Sequence, residues 1–298
     1  MKRFFENSKS FWVRYNDYVI REDGNGVKYL QAGDGAVPEP YDPTDILENL
    51  VVDALNVGWT CMDSDLAEEE KEDAVCGFVL KYGMLGFMTA LPTTPRFLSY
   101  ENVYFDKNHF IKKESMTVED YLAIFFPFEK LKLRKKNEEY TLEIEGDKHM
   151  VALATMTDGR PLEVHMSFQR EYTERMDWLK QQFKDWAFTM MTIFFYYEDL
   201  NHVAEDVKEY YRQSMAAFDG ITPTYHIELQ EEGPMLVWNL NSLLQGIQLM
   251  ICSMLTDSVN PVRMCKNCGR AFIAKRYRDK FCSKECSDEY RQKESIIR

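Results

Sequence analysis

Residues 265–286 read CKNCGRAFIAKRYRDKFCSKEC and contain four of the seven cysteines of this 298-residue chain. The first two cysteines are separated by two residues and followed by Gly269, and the last two are separated by three residues. A tight turn with glycine at positive φ would turn the first two thiolates inward, and a helix capped by Ser283 would bring the last two together. The spacing therefore predicts one structural zinc ion with four ligands, Cys265, Cys268, Cys282 and Cys286.

Three other chemistries use cysteines at similar spacings. A thioredoxin-like redox pair needs one CxxC motif and leaves Cys282 and Cys286 without a role. A zinc deaminase is suggested by His226-Ile227-Glu228 and by PVRMCKNC at residues 261–268, but the proline is not adjacent to the first cysteine. An HNH-type nuclease needs a catalytic histidine, and no histidine follows His226 in the sequence. Structural zinc is the interpretation that gives all four cysteines a role.

Charge is distributed unevenly along the chain. Residues 262–298 carry 11 Lys/Arg and 5 Asp/Glu, a net charge of +6, whereas residues 1–261 carry 25 and 44, a net charge of −19. Four thiolates and one zinc ion add a charge of −2, which lowers the net charge of the tail to about +4. An acidic body does not attract nucleic acid or anionic lipid by itself, so the basic tail is the candidate nucleic-acid contact.

The basic side chains of the tail divide into a loop and a helical stripe. Residues spaced by seven on a helix share one side, and here that side faces away from Cys286 and Tyr290. A homodimer would double the patch. The charges could instead be solvated, dock on the acidic body or contact a protein partner. The candidate nucleic-acid-binding residues are Arg276, Arg278 and Lys280 in the loop, and Lys284, Arg291 and Arg298 on the helix.

The F-C-S-x-x-C sequence after the basic loop resembles the treble-clef zinc fingers of the FCS and CGNR type. The resemblance covers about residues 265–298, where Ser-Asp-Glu-Tyr-Arg follows Cys286 in place of Gly-Asn-Arg. It implies a hairpin knuckle that supplies the first two cysteines and a helix start that supplies the last two. Proteins of the CGNR family often carry an N-terminal body and are taken to be regulators of transcription.

The whole chain is predicted to have an α+β fold. A helix-dominated body with a small antiparallel sheet, residues 1–258, is followed by a small C-terminal treble-clef zinc finger, residues 259–298. The predicted helices cover about 45–57, 67–91, 170–218 in two pieces, and 240–256, with a further helix capped by Thr117. The predicted strands cover 139–146, 148–156, 161–168, 225–229 and 235–239, with a turn at Asp158-Gly159 and a hairpin or loop over 20–43.

Several other classes of protein are disfavoured by the sequence. The N-terminal residues lack the apolar run of a signal peptide, and the apolar stretches 186–197 and 233–256 are respectively too short and too rich in polar residues to span a bilayer. We therefore expect a cytoplasmic protein in which Cys61, Cys76 and Cys252 are small buried apolar residues. The five histidines are scattered, and no catalytic motif is present, so we expect no enzymatic activity. The alternative for the body is an enzyme with a pocket among its aromatic residues, where titratable groups meet only in the fold.

Overall fold

The computed structural model describes residues 8–9, 11–94, 96–136, 139–144, 150–152, 162–198, 204–216, 224–231, 233–256, 262–276 and 278–297. In these residues the chain combines helices with small, mainly antiparallel sheets, as the sequence predicts. The α-helices are α1 (Leu47–Met62), α2 (Glu68–Tyr82), α3 (Phe87–Ala90), α4 (Val118–Phe125), α5 (Leu162–Ser167), α6 (Met176–Glu198), α7 (Glu205–Ala216), α8 (Leu243–Thr256) and α9 (Lys284–Ile297).

The strands are short and are distributed over almost the whole chain. They are β1 (Ser8–Lys9), β2 (Trp12–Tyr15), β3 (Tyr18–Glu22), β4 (Lys28–Ala32), β5 (Pro38–Tyr41), β6 (Asn102–Tyr104), β7 (Ser115–Thr117), β8 (Leu131–Lys136), β9 (Glu139–Ile144), β10 (Met150–Ala152), β11 (Thr173–Arg175), β12 (Thr224–Gln230), β13 (Gly233–Asn239), β14 (Val262–Met264) and β15 (Ala271–Ile273). Their sheet orders are β1-β13-β12, β10-β9-β8, β11-β4-β3, β14-β15, β2-β5 and β6-β7, with β1–β13 parallel.

The core is built around α1, which packs against α2, α6 and α8. Its residues Leu50, Val51 and Leu55 are fully buried. The aromatic and methionine residues at helical spacing on α6 face this core, and Phe183 and Trp186 are also fully buried. The prediction that both segments contain packed helices is therefore confirmed, but the part of the predicted helical segment 170–218 at Thr173–Arg175 is wrong, because these residues form strand β11. Among the described residues, no helix has both the length and the apolar character that crossing a bilayer requires.

Helices α1 and α6 approach each other closely at Gly58 of α1. A Cβ atom at Gly58 would lie 2.1 Å from the carbonyl oxygen of Phe183 and 2.7 Å from the Cβ of Ala187, both on α6. Gly58→Ala is therefore expected to destabilise the protein by about 2–3 kcal/mol through overpacking, measured by chemical denaturation. Gly77→Ala on α2 is the matched control, because a Cβ atom there meets nothing within 4 Å. The control is expected to stabilise by about 0.5–1 kcal/mol, and equal effects of the two changes would contradict this account.

The predicted helix over 67–91 is interrupted, and the prediction of one continuous helix was wrong. Gly83 and Gly86 have φ angles of +84° and +80°, and the residues between α2 and α3 form a loop. The indole of Trp12 fills the space beside this loop, since a Cβ atom at Gly86 would lie 2.7 Å from its ring. Trp12 Nε1 also donates a hydrogen bond to the Met84 carbonyl at 2.9 Å. The docking of a distant strand thus ends the helix at Tyr82.

A buried carboxylate also holds this loop. Glu174 of β11 is fully buried, and it accepts hydrogen bonds from the backbone N–H groups of Leu85 (2.9 Å), Gly86 (2.6 Å) and Phe87 (3.0 Å). The Tyr172 hydroxyl donates a fourth hydrogen bond at 2.8 Å. Burial raises the pKa of Glu174, and the four hydrogen bonds oppose that shift. The loop between α2 and α3 is therefore anchored by one acidic side chain.

The strand predicted over 161–168 is also wrong, because Leu162–Ser167 forms the helix α5. The alternation of Leu162, Val164 and Met166 is typical of a strand with one buried face. In the structure, however, both polar and apolar residues of α5 are buried, including Glu163 and Ser167. A segment buried on most sides carries no reliable periodicity, and the tertiary surroundings determine its conformation. The predicted turn at Asp158-Gly159 lies outside the described residues.

Other local predictions agree with the structure. Thr117 caps α4, since its side-chain oxygen accepts from the Asp120 N–H at 3.1 Å. The predicted hairpin over 20–43 contains the β3–β4 hairpin, whose turn is closed by the Asp23 carboxylate through the Asn25 and Val27 N–H groups. The β12–β13 hairpin and α8 also lie where they are predicted. In each case the sequence contains a local signal for the element, which is a capping residue, a turn-forming residue or a long segment with regular spacing of apolar residues.

Candidate metal centre and basic finger

The first cysteine pair lies on a tight knuckle between β14 and β15. Gly269 follows the turn with a φ angle of +71°, in the left-handed region that favours glycine. The Gly269 N–H donates to the Cys265 carbonyl at 2.9 Å, and the Cys265 N–H donates to the Arg270 carbonyl at 2.9 Å. These hydrogen bonds close the turn and place Cys265 and Cys268 on the same side of it.

The second cysteine pair lies at the start of α9. The Ser283 Oγ accepts from the Cys286 N–H at 3.2 Å, so Ser283 caps the helix as predicted. Cys282 directly precedes the cap, and Cys286 is in the first turn. The Lys266 N–H donates to the Lys280 carbonyl at 3.0 Å and links the knuckle to the segment that leads into the helix. The two cysteine pairs are thereby brought face to face.

The four sulfur atoms form one compact group. All of them lie within 4.8 Å of one another, and the sulfur of Cys282 is 3.7 Å from that of Cys268 and 3.5 Å from that of Cys286. Four sulfurs around one zinc ion at about 2.3 Å, arranged as a tetrahedron, are separated by roughly 3.8 Å. The four cysteines are free thiols, not disulfides. The donor set and its spacing fit a metal ion such as zinc.

Backbone hydrogen bonds prepare one of these thiols for metal binding. Burial alone would raise the pKa of Cys265, but N–H groups of Cys268, Cys282 and Asn267 donate to its sulfur, and its pKa is lowered to about 6. Metal ions bind the thiolate form of cysteine, so a thiol that ionises readily favours binding. Burial raises the pKa of Cys268 and Cys282 within the same cluster, and it raises the pKa of Cys61 and of Cys76 to about 11. Cys61 is buried, as predicted, whereas Cys76 and Cys252, also predicted to be buried, are half-buried.

The knuckle hairpin is packed on the body of the protein. The Ala271 N–H donates to Asn56 Oδ1 at 2.9 Å, and Asn56 Nδ2 donates to the Ala271 carbonyl at 3.4 Å. Val262, Met264 and Ala271 are buried and belong to the same apolar cluster as the core helices. Asn56 lies on α1, so the hairpin reaches the central helix of the fold. Nothing in the spacing of the cysteines indicates this contact, and sequence reasoning did not find it.

A second link joins the knuckle to α9. Asn267 Nδ2 donates to Glu289 Oε2 at 2.8 Å, and Lys293 Nζ donates to Asn267 Oδ1 at 3.1 Å. The rings of Phe281 and Tyr290 pack with their centroids 5.3 Å apart. The predicted position of Tyr290 on the same side of the helix as Cys286 agrees with this contact. The sequence offers one signal for this link between the knuckle and α9, namely the polar residue Asn267 at the tip of the CxxC turn.

The predicted nucleic-acid-binding residues are exposed wherever the structure describes them. In the described part of the chain, no ion pair joins them to the acidic body, and the Arg291 side chain, 76% exposed, lies 3.8 Å from Asp288 one turn away on its own helix. Arg298 lies outside the described residues. The finger thus packs on the body through its apolar hairpin, in which Arg263 is half-buried, whereas these candidate residues are exposed. The exposed residues are Arg276, Arg278, Lys280, Lys284 and Arg291.

The deaminase alternative receives no support from the positions of its residues. Among the described residues, the four cysteines are the one group of three or more metal-binding side chains close enough to share an ion. His226 is not part of it. His226 lies on β12, where its Nδ1 is 3.0 Å from the Asn239 Nδ2. The histidine of the H-x-E sequence therefore contributes to a β-hairpin.

A cleft elsewhere on the body collects titratable side chains. It has a volume of about 490 Å³ and is lined by His109, Phe110, Arg175, Asp177, Trp178 and Gln181. Arg175 makes two hydrogen bonds to Asp177, at 3.0 and 2.6 Å, and the His109 Nε2 lies 3.0 Å from Asp185. The charged groups of the cleft are therefore paired with one another, and the cleft assigns no reaction to the body.

Comparison with known proteins adds no further assignment. No family model matches the chain, and no curated protein or solved structure matches it. The functional argument consequently rests on the cysteine cluster and the surface around it.

Proposed function

We propose that residues 259–298 form a treble-clef zinc finger, that its four cysteines hold one structural zinc ion, and that the protein binds nucleic acid through the basic side of this finger as a regulator. The knuckle hairpin and the helix start supply two cysteines each, which is the arrangement expected of a treble clef. The remaining residues, 1–258, would be a separate acidic body.

One observation carries the nucleic-acid proposal. The finger contacts the body through apolar hairpin residues and Asn56, and the basic side chains of the loop and of α9 remain exposed. Had the charges served to dock the finger on a body of net charge −19, they would face its acidic residues. A net charge of about +4 allows a few phosphate contacts and predicts weak, salt-dependent binding by one copy of the chain.

The expected result is binding to duplex nucleic acid at low salt that weakens steeply as salt is added. Replacing Arg276, Arg278 and Lys280 together with alanine removes three cationic contacts. It is expected to reduce the slope of log K against log[salt] by about 3, since each phosphate contact contributes about 0.9. Fluorescence anisotropy with a labelled duplex over a salt series measures both quantities.

The control variant removes the same charge from the body. Lys107, Lys112 and Lys113 are exposed and lie in one loop away from the cysteines, and their replacement with alanine is expected to leave the salt slope unchanged. Alanine at Lys284 and Arg291 tests the helix separately from the loop. No binding at low salt, or an equal loss in the loop and body variants, would disprove the proposal.

A second function is favoured by the contact between Asn56 and Ala271. A finger that packs on the central helix can act as a purely structural clip in a protein-interaction module or scaffold. This alternative predicts that the protein does not bind nucleic acid at any salt concentration. It also predicts that metal removal destabilises the body.

A further inference from the structure

The β12–β13 hairpin exposes a row of apolar side chains on one of its faces. Tyr225, Ile227 and Leu229 alternate along β12 and are 65%, 68% and 84% exposed. Directly opposite them on β13 are Trp238, Leu236 and Pro234, in that order, and Leu236 is 43% exposed. Opposed residues of an antiparallel pair have their side chains on the same face. The six residues therefore form one apolar face, which we call the outer face of the hairpin.

The opposite face of the hairpin is the one in contact with the core. Val237 is fully buried, and its partner across the ladder is His226. A strand with one solvated face normally directs its apolar residues to the core and its polar residues outward. Here the apolar alternation of β12 is directed away from the core. An apolar sheet face turned toward water indicates an interaction surface.

The outer strand of this sheet is also open along its edge. The sheet order is β1-β13-β12, and among the described residues no strand pairs with the free side of β12. Gln230 and Gly233 close the hairpin as a hydrogen-bonded pair. Because such pairs alternate along an antiparallel ladder, the backbone groups of Glu228 and His226 also form hydrogen bonds with β13. The N–H and C=O groups of Tyr225, Ile227 and Leu229 therefore point to the open edge, where they can accept another strand.

We propose that a second copy of this chain occupies the surface, with the β12 strands of the two copies paired antiparallel about a two-fold axis at Ile227. In this register Ile227 lies opposite Ile227 of the partner subunit, and Tyr225 lies opposite Leu229 of the partner subunit. Each of these three exposed side chains then gains an apolar neighbour across the new strand pair. The two edges also satisfy each other's backbone groups, and the sheets merge into one sheet across the dimer.

Hydrogen-bond complementarity on the opposite face favours a second copy as the occupant. The same register places His226 opposite Glu228 of the partner subunit, twice per dimer. The Asn239 Nδ2 is an amide donor 3.0 Å from the His226 Nδ1, so this nitrogen accepts, and Nε2 carries the ring proton. That N–H can donate to the partner's Glu228. A single strand whose residues complement themselves across a two-fold axis fits an isologous dimer.

The first test is the mass of the protein in solution, without nucleic acid. Sedimentation of the wild-type chain is expected to give twice the 35.2 kDa of one chain at micromolar concentration. Ile227→Lys places two like charges at the axis and is expected to raise the dimer dissociation constant at least about 100-fold. Val19→Lys on the exposed side of β3 is the matched control and is expected to leave the mass unchanged. Ile227 is 68% exposed, so its replacement does not disturb the core.

The second test determines the register. Ile227→Cys brings two thiols together at the axis, where the Cα atoms of an antiparallel pair are about 5.5 Å apart, a separation that permits a disulfide. Tyr225→Cys is the control, because its symmetry-related copy is four residues away along the strand, or about 13 Å. Mild oxidation is expected to cross-link the first variant and not the second or the wild type.

Charge reversal gives a third, independent readout. His226→Glu places two carboxylates, at positions 226 and 228, opposite each other twice per dimer and is expected to weaken the dimer about tenfold. The double variant that also carries Glu228→Lys is expected to restore wild-type affinity. A monomeric wild-type chain, or a dimer that survives Ile227→Lys, would overturn the proposal. So would cross-linking through Tyr225→Cys in place of Ile227→Cys. A monomer that binds an added extended peptide along β12 would assign the edge to a different partner and would equally contradict a dimer.

Discussion

Replacing Cys282 with serine is expected to remove the bound metal and to lower the melting temperature of the entire protein by about 10 °C or more. The sulfur of Cys282 lies between those of Cys268 and Cys286, so its loss opens the four-ligand set. Three remaining ligands bind zinc weakly, and the knuckle and α9 then lose the ion that joins them. Because the hairpin belongs to the apolar cluster of α1, the effect extends beyond the finger.

Tryptophan fluorescence separates the two parts of the chain in this experiment. All five tryptophans precede residue 259, so their emission reports on the body alone. Elemental analysis is expected to find one zinc per wild-type chain and none in the variant. The thermal midpoint of the tryptophan signal is expected to fall in the variant and, to the same extent, in wild-type protein treated with a chelator.

Cys76→Ser is the control for the loss of a thiol. Cys76 lies on α2, away from the cluster, and its replacement is expected to leave the zinc content at one and the midpoint nearly unchanged. A chelator is expected to have no effect on Cys282→Ser, which holds no metal to remove. A metal content that survives Cys282→Ser would contradict the four-cysteine site, and an unchanged tryptophan midpoint would contradict coupling between finger and body.

Replacing Glu174 with alanine is expected to destabilise the protein by about 4 kcal/mol or more, because four buried donors lose their acceptor at about 1–3 kcal/mol each. Glu174→Gln keeps one oxygen and sets its NH₂ group against the Leu85 N–H, so its expected effect is about 1–3 kcal/mol. Tyr172→Phe removes one donor and is expected to cost about 1 kcal/mol. Denaturant unfolding should rank the three variants in this order, and Glu171→Ala serves as a control outside the loop.

The dependence of stability on pH provides a second readout for Glu174. Burial raises its pKa in the folded chain above the value of 4.5 for a solvated glutamate. Between that value and the folded pKa, the native state holds more protons than the unfolded state, so this group makes stability fall as the pH rises. Glu174→Gln has no proton to lose and is expected to flatten this part of the pH profile. An unchanged profile would show that Glu174 has the same pKa in the folded and unfolded chain.

The parts of the structure that follow from local residue chemistry are those that the sequence predicts best. The cysteine spacing, Gly269 and Ser283 are sufficient to predict the knuckle, the helix cap and the sulfur cluster, because each depends on neighbours within a few residues. The caps and turns at Thr117 and Asp23 belong to the same class. In the described residues these features are present where they are predicted.

The parts that depend on contacts between distant residues could not be predicted in this way. The loop that ends α2 exists because Trp12 and Glu174 both contact it, and neither residue is near it in sequence. Asn56 and Ala271, which form the contact between α1 and the finger, are 215 residues apart in the sequence. The apolar outer face of β12 is visible as an alternation in the sequence, but only the structure shows that it is directed away from the core.

The docking of Trp12 beside the α2–α3 loop also determines when this protein can finish folding during its synthesis. Glu174, which holds the same loop, is made 162 residues after Trp12 of strand β2. At about 5–20 residues per second, that interval lasts roughly 10–30 s. Throughout this time the indole of Trp12 lacks its complete binding site. Ala271 of the finger is made 215 residues after Asn56 of the central helix, so the contact between them can form only after the site of Trp12 is complete.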